Sequence, residues 1–139
     1  LQNFISVTET KTAIVNLIDE AVLRIEFKQD SYITVPDFEE NLLAYHKEMR
    51  TEKVYLLTVA NSGVEPSPEV RALFSSKLRS EFKMAEAFVI SSFAQRILAN
   101  FVMKVQPPNH PLKFFNSETE AKEWLYEQRK KIGRAKKAA

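Results

Sequence analysis

The chain has no cysteine among its 139 residues. That excludes disulfide stapling, thiolate metal sites and cysteine nucleophiles. Glycine is nearly absent, Gly63 and Gly133 being the two present. Pyrophosphate-binding loops need closely spaced glycines so that backbone N–H groups can approach the phosphates, and neither G-x-G-x-x-G nor a Walker loop occurs. G-x-S-x-G is missing as well. Histidine is scarce: His46 and His110 each lack a second histidine or a carboxylate at metal-ligand spacing, and both are expected to be surface or boundary residues. No apolar run approaches the ~18 residues that cross a bilayer. The opening Leu1-Gln2-Asn3 shows no basic stretch leading into an apolar one, so no signal peptide is expected. These absences lead to the expectation of a cytoplasmic protein that is not an enzyme and takes no metal or other cofactor.

What is present suits one folded core. The chain is 45% apolar and 27% charged, with ten phenylalanines and one tryptophan. The net charge of +2 is unevenly placed, because residues 127–139 carry six basic groups and one acid. The expected organisation is a single domain over residues 1–128 and a basic tail over 129–139, frayed or disordered. Such a tail is a solubilising end or a contact for an anionic surface. The body shows no nucleic-acid surface, and nucleic acid is not an expected partner.

Hydropathy patterning predicts alternating strands and helices. Residues 13–18 and 22–28 read as a hairpin. In its second strand Leu23, Ile25 and Phe27 share one face and Arg24, Glu26 and Lys28 the other, which suggests a wet face near a sheet edge. Residues 31–34 suggest a short further strand. Thr34 and Asp37 then resemble a capping box, with Pro36 in the first turn of a helix that buries Phe38, Leu42 and Tyr45. Residues 54–60 are nearly all apolar or β-branched, as in a strand covered on both faces. Ser67-Pro68 opens a second helix, residues 85–90 a further strand, and Ser92 with Gln95 a third helix. Pro107 and Pro108 stop that helix. Residues 112–115 form a last strand, and Ser117 with Glu120 caps a fourth helix. The order argues for a mixed, mostly parallel α/β sheet of about five strands with four helices.

Two regions stand out as candidate sites. The loop Asn61-Ser62-Gly63-Val64-Glu65-Pro66-Ser67-Pro68 leaves the C-terminal end of the central strand, the usual ligand edge of an open α/β sheet. Within it, Ser67 caps a helix or, as a helix N-terminal hydroxyl, serves as phosphoacceptor or anion contact, with Ser62 as second candidate. Asn61 and Gly63 complete that surface. The third helix has the widest apolar arc, with Phe93, Ile97, Phe101 and Met103 beginning at Ser92. It is expected to be the best-buried helix, or else a docking face.

The order of elements resembles the SpoIIAA-like, or STAS-like, domains of bacterial proteins, over roughly residues 10–128. The segments that carry the resemblance are Leu23-Arg24-Ile25-Glu26-Phe27-Lys28, the helix after Ile33-Thr34, Tyr55-Leu56-Leu57-Thr58-Val59, Ala87 to Val105, Lys113-Phe114-Phe115, and Glu120-Ala121 with Trp124-Leu125. It is similar to a stand-alone STAS/SEC14-like branch. The resemblance implies a non-catalytic signalling or protein-interaction module, with a protein partner or a second copy as homodimer. In anti-sigma factor antagonists of this type a serine in an Asp-Ser-Ser-Gly segment is phosphorylated. Here Glu65-Pro66-Ser67-Pro68 stands at that place, without the flanking Asp and Ser-Gly. Other members resemble lipid-binding domains, which implies the alternative of a binder of a small apolar or lipid-like ligand; the basic tail adds the reading of a binder of an anionic membrane surface.

Overall fold

The computed structural model describes residues 6–73, 81–105 and 107–138, with side chains of the last helix up to residue 135. Its first strands, β1 (Ser6–Glu9), β2 (Ala13–Asp19) and β3 (Val22–Phe27), form an antiparallel meander. The short β4 (Tyr32–Ile33) leads into α1 (Val35–Glu48). Thr34 caps α1: its hydroxyl accepts from the Asp37 N–H while the Asp37 carboxylate accepts from the Thr34 N–H. Then follow β5 (Val54–Ala60), β6 (Glu65–Pro66), the single-turn α2 (Pro68–Arg71), β7 (Lys83–Val89), α3 (Phe93–Val105), β8 (Leu112–Phe115) and α4 (Glu118–Ala138).

Six strands lie in the order β1-β2-β3-β5-β7-β8, with β4 and β6 paired apart from them. From β3 to β8 every pairing is parallel. The sheet is thus mixed and mostly parallel, with one strand more than expected, because β1 adds to the hairpin. The hairpin is therefore not at the edge; β1 and β8 are.

The two faces of the sheet are covered differently. On one face α4 lays Ala121 and Leu125 against Val22, Tyr55, Leu57, Ala85, Ala87 and Val89. On the other, α1 brings Ala44 and Tyr45 against Val15, Leu17, Leu23, Ile25 and Leu56. The polar side of β3 is not wet. Arg24 is buried under the start of α4, where its guanidinium donates to Glu118 at 2.8 and 3.0 Å and to Glu26 at 3.0 Å. Burial works against its charge, but these two carboxylates outweigh it and hold the Arg24 pKa above the ordinary value.

The basic segment after residue 128 is helical rather than frayed, since α4 continues through it. Arg129 anchors the extension by donating to Asp19 at 3.0 Å, and the Tyr126 hydroxyl donates to the same carboxylate at 3.0 Å. These contacts reach past residue 128, so no structural boundary falls there. Among the described residues no helix is long and apolar enough to cross a membrane.

Candidate functional site

A cavity of about 110 Å³ lies between the sheet and the helices of the α1 face. Its floor is built by Thr58 and Ala60 of β5, Glu86 and Phe88 of β7, and Leu112 and Phe114 of β8. Phe38, Asn41, Leu42 and Tyr45 of α1 close one side, and Gln95, Leu98, Ala99 and Val102 of α3 the other. Pro66 and Val70 finish the rim beside α2. The cavity exists because α3 stands off the sheet. Of its residues only Ala99 and Val102 are buried, while Phe88 and Phe114, with ring centroids 5.3 Å apart, occupy the floor beneath.

One end of this apolar space is polar. The Glu86 carboxylate, 1% exposed, accepts from the Thr58 hydroxyl at 2.8 Å and from the Lys83 ammonium at 3.0 Å. Lys83 and Glu86 lie on one face for a specific reason. The β5–β7 register steps from Val54↔Lys83 to Tyr55↔Ala85, so Met84 is an extra residue in β7. Such a bulge turns the Lys83 side chain to the face that Glu86 occupies. His110 comes from the turn before β8, with its Nε2 3.6 Å from Glu86 Oε1. That histidine is buried, contrary to expectation, and neither ring nitrogen has a hydrogen-bond partner among the described residues. His46 is exposed on α1, its ring 5.4 Å from Phe82. Asn41, also at the cavity, ties α1 to the strands by donating to Thr12 and accepting from the Thr10 hydroxyl.

The loop singled out from sequence forms the opposite end. Asn61 donates to Glu26 and to the Phe27 carbonyl, both at 2.9 Å, and its own carbonyl accepts from Gln95 of α3. The Asn61 hydrogen bond is the first cause that holds the Glu26 pKa below the ordinary carboxylate value; burial opposes it, and Arg24 adds to it. Gly63 has φ +78°, and a side chain there would collide with Asp30. Ser62 is exposed, and its carbonyl accepts from the Asp30 N–H. Ser67 is 4% exposed, its hydroxyl accepting from the Val70 N–H. In this conformation Ser67 is a cap closed off from solvent, not a hydroxyl presented to a kinase.

At α3, the Ser92 hydroxyl accepts from the Gln95 N–H, and the Gln95 side chain accepts from the Ser91 N–H rather than that of Ser92. The expectation that α3 is the best-buried helix is overturned. Phe93 is 80% exposed, Ile97 56%, Phe101 50% and Met103 41%. Its apolar arc serves two surfaces, one toward the cavity and one toward solvent.

Sequence reading did not single out Lys83, Glu86 or Thr58. The available signal was an acid inside the apolar run Ala85 to Ile90, together with Thr58 in an otherwise apolar strand. Among the described residues no cluster of His, Asp and Glu could hold a metal ion.

A mixed sheet with a three-strand antiparallel entry, parallel crossovers and helices on both faces defines a SpoIIAA-like, or STAS-like, fold. It is shared with the crystal structure of an uncharacterized protein from the DUF3478 family of Shewanella loihica PV-4, described as having a SpoIIAA-like fold. That structure superposes with a TM-score of 0.50 at 14% identity, covering 86% of this chain and 90% of the other. By sequence, residues 16–129 match the model of a domain of unknown function, DUF7793, and the chain belongs to that family. No curated protein matches it in sequence.

Proposed function

We propose that this domain is a non-catalytic binding module for a small, largely apolar ligand held between α1, α3 and the sheet. The observation that carries this reading is the cavity of about 110 Å³, apolar along its walls and polar at the Lys83–Glu86–Thr58 end. Pockets that bind small molecules share this character: apolar lining with a few placed polar groups. The space is of the order of an engineered ~150 Å³ apolar cavity that admits benzene. It therefore suits a single ring or a short branched chain, with any polar atom directed at the Glu86 end. The non-catalytic part of the reading is supported by the polar groups themselves. Glu86 is engaged by Lys83 and Thr58, an arrangement that neutralises a buried carboxylate rather than presenting it to a reactant.

Native mass spectrometry and a thermal-shift series with single-ring aromatics and short branched alcohols test it. At a hundredfold excess over Kd a ligand stabilises by about 2.7 kcal/mol, several degrees in Tm for a domain of this size. Ala99→Leu puts a branched side chain into the cavity and is expected to abolish the shift while leaving the domain folded. If no compound shifts Tm and none is retained, the cavity is a packing defect and the reading fails.

A further inference from the structure

The solvent side of α3 is an apolar stripe set in a basic segment. Phe93, Ile97 and Phe101 follow one another at four-residue spacing and are each at least half exposed. Val105 continues the line at 58% exposure. Residues 91–117 contain no Asp or Glu, and they carry Arg96, Lys104 and Lys113. Viewed down the helix axis, Lys104 of the last turn projects in the same direction as Phe93 and Ile97 of the first turns, with a long stem that can lie along apolar surface while its charge reaches out. The neighbouring α1 has the opposite character outside, with Glu39 and Glu40 exposed. Apolar residues of this bulk, aligned on a helix with basic residues and no acid among them, have the make-up of a helix that lies in a lipid interface.

We propose that the outer face of α3 docks on an anionic lipid surface, with Phe93, Ile97 and Phe101 entering the headgroup region and Lys104, with Arg96 at the flank of the helix beside Asn116, meeting the lipid charge; Lys113, over the Phe115 ring on the α4 side of the sheet, takes no part. A second copy of the chain fits this face poorly, because self-docking would bring two acid-free basic segments together, whereas anionic lipid complements them. The helix, ~20 Å long at 1.5 Å per residue, lies along the surface and does not enter it end-on. The inference stands apart from the occupancy of the cavity, since the docking residues are on the side of α3 away from it.

The test is co-sedimentation of the full chain with vesicles of phosphatidylcholine alone and of phosphatidylcholine mixed with phosphatidylserine. Partition onto the anionic vesicles is expected to be at least about tenfold higher and to fall with added salt. The double substitution Phe93→Glu/Ile97→Glu, at exposed positions, is expected to remove it, while Val7→Glu at the far edge of the sheet leaves it intact. Ile97→Trp supplies a second readout, blue-shifted emission on anionic vesicles. Three outcomes overturn the proposal. One is equal or absent binding to the two vesicle types. Another is binding that survives the double substitution but disappears with Arg134, Lys136 and Lys137→Ser, which assigns it to the C-terminal charges. The third is a dimer in solution that Phe93→Glu splits, which puts a second copy on the face.

Discussion

The two faces of one sheet solve the problem of covering it in different ways, and β7 shows why. Toward α4 this strand presents Ala85, Ala87 and Val89, small side chains that let the helix approach and bury Leu125 to 1% exposure. Toward α3 it presents Glu86 and Phe88, a charged group that needs partners and a ring that needs depth. A helix over such residues stands farther off. Small residues close one face, and a mixed layer of large and charged residues leaves room on the other. The α4 face is also locked at its ends by ion pairs, Arg24 with Glu118 and Arg129 with Asp19. By contrast, α3 is held mainly by Gln95 at its first turn and by Ala99 and Val102.

The largest expected effect breaks the polar end of the cavity. Glu86→Leu removes the carboxylate and leaves the Lys83 ammonium in a site where its side chain is 2% exposed. Removing one partner of a buried pair costs about 3–5 kcal/mol. The double substitution Lys83→Met/Glu86→Leu is expected to recover most of that loss, because it also removes the charge that would need compensation. Urea unfolding of the three chains measures both. A double variant as unstable as Glu86→Leu would show that the pair holds the fold in some further way.

The next effect compares the faces directly. Leu125→Ala opens a void in the packed layer and is expected to cost about 3 kcal/mol. Leu98→Ala removes the same atoms from α3, but from a half-buried residue that already borders empty space. About 1 kcal/mol is expected there, since less surface was removed from water on folding. Equal losses would mean that α3 is packed as tightly as α4. Of similar size, Thr34→Ala removes the cap of α1 and is expected to cost about 1 kcal/mol.

This asymmetry was partly legible in the sequence. Strand and helix order, the Thr34–Asp37 cap and the apolar β5 follow from local patterns, and local patterns survive folding. The strand β1 was missed because Ser6-Val7-Thr8-Glu9 is short and polar at three of its four positions, and its place depends on pairing with β2. Arg24 reads as solvent-facing because Glu26, beside it on the same face of β3, looks like an ordinary surface partner, while Glu118 is brought by α4 from 94 residues away. The polar end of the cavity was hidden for a related reason. A lysine before an apolar run looks like a strand boundary, and only the bulge at Met84 turns Lys83 inward. Hydropathy alone also could not divide α3 between cavity and solvent, because both of its apolar surfaces add to one arc.

The smallest expected effect is one of pH, and each face contributes a carboxylate to it. On the α4 side Glu26 is held below its ordinary 4.5 first by the Asn61 amide, against burial, with Arg24 adding to the effect. On the α1 side burial raises Asp37, but the Thr34 N–H and hydroxyl and the nearby Lys11 outweigh it and hold it below 3.8. In both cases the folded state favours the ionised form. The unfolded chain therefore binds more protons as pH falls below those ordinary values, and stability declines in that window. The contribution is full above about pH 5 and is lost as pH drops through the depressed folded values. Asn61→Ala, by removing the first cause for Glu26, is expected to raise that carboxyl's titration midpoint in a carbon-detected NMR series. It should leave Asp37 where it was. If both carboxyls move together, the two faces are coupled through the Asn61–Gln95 contact; if Glu26 alone moves, they titrate as separate layers of one sheet.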